Sequence, residues 1–256
     1  MSLESRRQTA LDLSESGAFS YSEIETTTFT IATYGRTDLS GEVTVYIEGD
    51  GFAYITPTRI SPDPTPLSPT GLELATLDTG GNVIYLARPC QYVDLGKERL
   101  CYKRYWSSHR FSKEVISTYD QVLDKIKTTT GARSFHLVGY SGGGAVAVLI
   151  AAGRVDVISV RTVAAYLDHV ALNEERGVAA LEGSLDPMKV AKSLRGIPQI
   201  HYAGANDNVI PPWVVKNFAH AVDDPRCVRF MLLNGVGHQY GWNRQWNRVG
   251  HVKPTC

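Results

Sequence analysis

The sequence predicts an α/β fold in which a mostly parallel central sheet is covered by helices on both faces. Three observations carry that expectation. Runs rich in β-branched residues recur at strand length, and segments with apolar residues at helical spacing separate most of them. The apolar stretch Phe135 to Val138 also passes through Gly139-Tyr140-Ser141-Gly142-Gly143-Gly144 directly into an apolar helical pattern. Strands that alternate with helices pair in parallel, because a parallel pair needs a long crossover and a helix supplies it while burying an apolar stripe on the sheet.

Taken in order, strands are expected over residues 26–33, 43–47, 83–86, 134–138, 157–164, 199–203 and 228–233, the earliest reading as antiparallel members. The clearest helix is SKEVISTYDQVLDKIK, where Ser112 can cap and Val115, Ile116, Tyr119, Val122, Leu123 and Ile126 fall on one face. Further helices are expected over 142–152, 187–194 and 212–222. The stretch from Thr56 to Pro69 holds five of the 12 prolines, which removes it from helix and central strand and predicts an irregular loop. No repeat, charge block or polar linker divides the chain, so residues 1–256 are expected to form one domain.

Composition narrows the function classes. A chain of 256 residues, 43% hydrophobic and 20% charged, can bury the core of one α/β domain. Lys plus Arg is 26 and Asp plus Glu is 26, so the formal charge is zero and the basic footprint of a nucleic-acid or anionic-membrane binder is missing. The expected partner is a small molecule, and the oligomeric state is left open. No apolar run approaches the roughly 20 residues of a membrane span. The start, MSLESRRQTALDLSESG, lacks the apolar h-region of a signal peptide. Met1-Ser2-Leu3 also fits a scar where a leader was removed, so a cytoplasmic home and a periplasmic or cell-envelope home are both open. Cys90, Cys101, Cys227 and Cys256 show no metal-ligand spacing; four free thiols or bridges Cys90–Cys101 and Cys227–Cys256 both fit. Neither a metal nor an organic cofactor is implied.

Gly139 to Gly143 match G-x-S-x-G, a pattern too short to carry weight outside its strand-turn-helix setting, which is present here. A serine on so sharp a turn has a strained backbone, and a Cβ two residues before or after it would collide with its neighbours. The turn lifts Oγ out of the sheet, and the following helix aims its unpaired N–H groups and positive dipole end at the same point. A phosphate loop is excluded, because Ala145 and Val146 stand where a Walker sequence needs Lys and Ser or Thr.

A neutral serine needs a base, itself oriented by a carboxylate. Of seven histidines, His136 and His201 fall inside strands, whereas His238 lies in LLNGVGHQYGW just beyond the last strand, at the carboxyl edge where open α/β sheets bind ligands. For this arrangement the acid falls between serine and histidine in chain order. Asp207, in ANDNVIPPW after its strand, is the expected partner; Asp168, closing the preceding strand, is the rival. The oxyanion donors expected are the N–H of Gly142 and that of Asp50 or Gly51, in the loop Glu48-Gly49-Asp50-Gly51-Phe52.

With these residues in place the chain resembles the α/β-hydrolase family over about residues 26–245. It is most similar to a group of bacterial members that carry YIEGDG, ARPCQY, GYSGGG, a D-x-V-x-P-P loop and a closing G-x-x-H. Here these are Tyr46 to Gly51, Ala87 to Tyr92, Gly139 to Gly144, Asp207 to Pro212 and Gly235 to His238. Some members of that group are exported lipoproteins, so the resemblance points to the cell envelope. One departure is Glu48-Gly49, where most of the family has His-Gly. The interval from Ser141 to Asp207 is consumed largely by one strand and two helices, which predicts little or no cap and a rim formed by the loop after Phe52 or by Leu167 to Glu182. The activity implied is hydrolysis of a carboxylic ester or related acyl bond through an acyl-enzyme. An acyltransferase and a non-catalytic binder on the same fold are the alternatives.

Overall fold

The computed structural model describes residues 2–37 and 41–256. Helix α1 (Leu3–Ser16) precedes strands β1 (Ser20–Glu25), β2 (Thr30–Thr37) and β3 (Glu42–Ile47). Short strands β4 (Tyr54–Thr56) and β5 (Arg59–Ile60), helix α2 (Thr70–Thr76), β6 (Asn82–Leu86) and α3 (Lys113–Thr130) follow. The alternating half runs β7 (Ser134–Tyr140), α4 (Gly142–Ala151), β8 (Val157–Val163), α5 (His169–Glu175), α6 (Pro187–Val190), β9 (Gln199–Gly204), α7 (Pro212–Val222), β10 (Val228–Leu233) and α8 (Trp242–Val249).

Eight strands form one sheet in the order β1-β2-β6-β3-β7-β8-β9-β10. Only the β1/β2 and β2/β6 pairs are antiparallel; every pair from β6 to β10 is parallel. One face is covered by α3, α4 and α7, through side chains such as Val115, Tyr119, Val146, Leu149, Val214 and Phe218. The other is covered by α1, α2 and α8, through Ala10, Leu72, Trp242 and Trp246. In α3 the Ser112 hydroxyl accepts from Val115 N–H and Gly131 ends the helix in the left-handed conformation, so the expected apolar face is held at both ends. No helix among the described residues is long and apolar enough to cross a membrane.

Three expectations are corrected. The first strand does not run over 26–33: Thr26 to Phe29 form a turn, closed by Thr26 N–H to the Phe29 carbonyl at 3.0 Å and by the Thr26 hydroxyl accepting from Thr28 and Phe29 N–H. A threonine that satisfies neighbouring N–H groups competes with the sheet ladder and ends it. The Pro-rich stretch is not wholly irregular, because Tyr54–Thr56 and Arg59–Ile60 pair as a small antiparallel ribbon apart from the main sheet. The helix expected over 187–194 is α6 followed by a 3₁₀ turn, Ala191–Leu194. All four cysteines are bridged, Cys90 to Cys101 and Cys227 to Cys256. The first bridge ties down the loop after β6, which carries Arg88 and Gln91.

Candidate active site

Ser141 sits between β7 and α4 with φ 50° and ψ −121°. That conformation costs a non-glycine residue about 1–3 kcal/mol and persists only where neighbours fix it. Here they do: Ser141 N–H donates to the Val163 carbonyl at 2.8 Å, and its carbonyl accepts from Gly144 N–H at 3.0 Å and Tyr166 N–H at 3.1 Å. Space explains the flanking glycines. A Cβ on Gly139 would lie 2.3 Å from the Gly143 carbonyl oxygen, and one on Gly143 would lie 2.3 Å from the Ile47 oxygen and 2.4 Å from that of Glu48.

Gly142 differs, since its Cβ would meet a side chain, Asp50 Oδ1, at 2.1 Å. Asp50 is itself clamped by Arg88 and Arg110, so neither contact relaxes freely. Gly142→Ala and Gly143→Ala should each destabilise the fold by about 1–3 kcal/mol, as overpacking typically costs. Urea denaturation of both variants checks this, and wild-type stability in either would contradict it.

The loops after β9 and β10 meet this turn. Ser141 Oγ lies 3.0 Å from His238 Nε2, and His238 Nδ1 lies 2.8 Å from Asp207 Oδ2. Asp207 is 3% exposed, and its other oxygen accepts from Val209 N–H at 2.9 Å and Ile210 N–H at 2.8 Å. The carboxylate thus shapes its own loop and faces the imidazole at once. The two loops are fastened together by Ala205 N–H to Leu233 O at 2.9 Å and Asn206 N–H to Val236 O at 2.8 Å. Asp168 is elsewhere: it caps α5 through Ala171 N–H and accepts from Asn217 Nδ2 at 2.9 Å. His136 pairs with Ser159 and Glu42 on the sheet. His201 is fully buried, which pushes its imidazole down to about 3, and contacts Thr162 and Gln199.

Several positioning groups escape the sequence reading. The His238 carbonyl accepts from Tyr140 Oη and Trp242 Nε1, each at 2.9 Å, and the Tyr140 ring lies 5.4 Å from the imidazole. Tyr140 adjoins Ser141 and Trp242 follows His238 by four residues, so proximity to the motifs was the available signal. In the loop after β3, the N–H groups of Asp50 and Gly51 find no acceptor among the described residues. Gly142, as the first residue of α4, has no intrahelical acceptor either. Gln91 fixes that loop by donating to the Gly49 carbonyl at 3.1 Å and accepting from Arg88 N–H at 3.0 Å.

Two carboxyls in the same loop respond to burial in opposite ways. Asp50 accepts from Arg88 Nη1 at 3.0 Å and Arg110 Nη1 at 2.5 Å. Burial by itself would raise its carboxyl, but the Arg110 and Arg88 guanidiniums outweigh burial and hold it below the usual range. Glu48 has no ion-pair partner among the described residues, and burial pushes its carboxyl up despite N–H donors from Gly49, Gly71 and Leu72 and the Tyr85 hydroxyl. Its oxygens take the first N–H groups of α2, which accounts for an acid at this position.

A cavity of about 610 Å³ opens over Ser141 and His238. Phe52, Tyr54, Leu67, Asn208, Val209 and Tyr240 form much of its wall. Of the two candidate rims, the loop after Phe52 lines it, whereas Leu167 to Glu182 lies outside its lining.

The backbone is similar to those of several solved proteins. An esterase, Pf2001, from Pyrococcus furiosus superposes with a TM-score of 0.65 at 13% identity, covering 92% of each chain. Est1E from Butyrivibrio proteoclasticus gives 0.59 at 12% identity over 90% of this chain and 95% of that one. An α/β serine hydrolase homologue from Coxiella burnetii gives 0.59 at 14% identity over 90% and 96%. The chain has the α/β-hydrolase fold. No protein-family model and no curated protein matches its sequence. Ser141 lies in the loop that joins β7 to α4.

Proposed function

We propose that this chain, acting as one α/β-hydrolase domain, is a serine hydrolase that cleaves a carboxylic ester through an acyl-enzyme. The observation that carries the reading is the continuous hydrogen-bonded path from Ser141 Oγ through His238 to Asp207, beside a cavity large enough for a small or extended acyl group. His238 Nε2 takes the proton as Ser141 Oγ bonds to the carbonyl carbon, and Asp207 holds the imidazole that becomes charged. The carbonyl oxygen becomes an oxyanion that accepts from Gly142 N–H and from Asp50 or Gly51 N–H. Collapse breaks the bond to the alcohol oxygen, which leaves with the proton from His238. Water then attacks the acyl-serine with the same base, releasing the acid and restoring Ser141.

Esterase and serine hydrolase neighbours support the class at the level of fold. A fluorophosphonate probe tests the assignment: peptide mass analysis should find its adduct on Ser141 in the wild type and none in Ser141→Ala. A wild-type protein that stays unlabelled would favour a binder on the same fold.

A further inference from the structure

The cavity over Ser141 contains a guanidinium that the reaction above does not use. Arg110 lines it while only 9% exposed. Its Nε donates to the Ser107 carbonyl at 2.7 Å and its Nη1 to Asp50 Oδ2 at 2.5 Å, while Nη2 meets no acceptor among the described residues. The Tyr54 ring lies 5.9 Å from its Cζ, on the cavity wall. Two of the three arms of the fork are therefore fixed, and the third is presented in a set direction.

Charge indicates what would complete the third arm. Asp50 is shared by Arg88 and Arg110, so two cations face one anion and the cluster keeps an excess positive charge. Glu48, the other carboxyl at the cavity, is spent on N–H groups of the loop and of α2 and on Tyr85. Arg110 is already paired with Asp50, its Nη2 is not sealed from solvent, and a planar fork matches a carboxylate better than a neutral amide. The position is suitable too. The Asp50 carboxylate packs against the Cα of Gly142, so the Arg110 guanidinium stands one carboxylate away from the turn that carries Ser141.

We propose that Arg110 selects esters bearing a carboxylate a few atoms from the scissile carbonyl, with Nη2–H donating to that carboxylate. The inference rests on the reading of Ser141 as nucleophile and names the substrate class of that site. Two nearly isosteric pairs test it in a pH-stat: monoethyl glutarate against ethyl glutaramate, with the charge on the acyl side, and 3-acetoxypropanoate against 3-acetoxypropanamide, with the charge on the alcohol side. In at least one pair the wild type should favour the carboxylate by about 10- to 100-fold in kcat/KM, the range expected for a hydrogen bond to a charged group. The preference should fall to about unity in Arg110→Gln and to an intermediate value in Arg110→Lys, which keeps the charge without the fork. A merely structural arginine would lower both members of a pair together and leave their ratio unchanged, and that result would overturn the proposal.

If the amides are hydrolysed and neither carboxylate is preferred, the inference fails and the hydrolase reading stands. If none of the four esters turns over, the fluorophosphonate probe and p-nitrophenyl acetate decide the hydrolase reading, and calorimetry of glutarate against glutaramide on the wild type decides the anion site. Tighter binding of glutarate supports it; equal or absent binding ends it. Should Arg110→Gln not fold, the wild-type ratio and Arg110→Lys decide alone.

Discussion

Ser141→Ala should remove nearly all ester turnover, leaving only the roughly 10³- to 10⁴-fold advantage over water that an oxyanion hole and binding supply on their own. The expected size follows from the division of labour. Oγ is the only hydroxyl at hydrogen-bond distance from His238 Nε2, at 3.0 Å among the described residues, so its loss leaves the base nothing to deprotonate but water. Stability should change little. Alanine keeps the Cβ, meets the same backbone constraint at φ 50°, and leaves the bonds to Val163, Gly144 and Tyr166 in place. The pair of measurements is p-nitrophenyl acetate hydrolysis and thermal denaturation. Wild-type turnover in a folded Ser141→Ala protein would refute the nucleophile assignment.

Asp207→Asn should cost about 10⁴-fold in kcat, the scale seen when the orienting acid of a serine triad becomes an amide. The local geometry explains why the amide cannot substitute. Val209 and Ile210 both donate N–H groups to Oδ1, so the asparagine carbonyl oxygen must stay there and its NH₂ must face His238 Nδ1. An NH₂ in that position favours the tautomer with its lone pair at Nδ1 and its proton at Nε2, which cannot accept from Ser141. The loop itself should survive, because its acceptor is retained. Asp168→Asn is the contrast: that acid caps α5 and bonds Asn217, so its loss should leave kcat within a few-fold of wild type. Steady-state kinetics on both variants decides, and a reversed order would transfer the role to Asp168.

The parts of the fold visible in the sequence were those whose signal is local. β3, β7, β9 and β10 are made largely of apolar or β-branched residues, and α3 and α7 bury one apolar face between clear ends. β1 was invisible because it is an edge strand, SYSEIE, with almost every side chain exposed. α1 was invisible because its buried side is Arg6, Ala10 and Ser14 and not an apolar stripe. Arg6 is drawn inward by a distant loop, donating to the Thr65 carbonyl at 2.6 Å, and no periodicity encodes such a contact.

By itself the sequence determined the turn at Ser141, since Gly139 is dictated by the backbone of Gly143 and Gly144 a few residues on, and it determined that His238 and Asp207 lie at strand ends; the contacts that require glycine at 142 and 143, with Asp50 and with Ile47 and Glu48, come from the fold. Tertiary structure decided the distances between those residues, because His238 reaches Ser141 only after β9 and β10 have added to the sheet beside β8 and their loops have bonded to each other. It also decided the charge around the cavity. Arg88 and Arg110 stand 38 and 60 positions from Asp50, and their pairing depends on how three separate loops close over one sheet edge. Backbone sterics act between chain neighbours and can be inferred from residue order, whereas an ion pair depends on distance in space, which only the folded chain fixes.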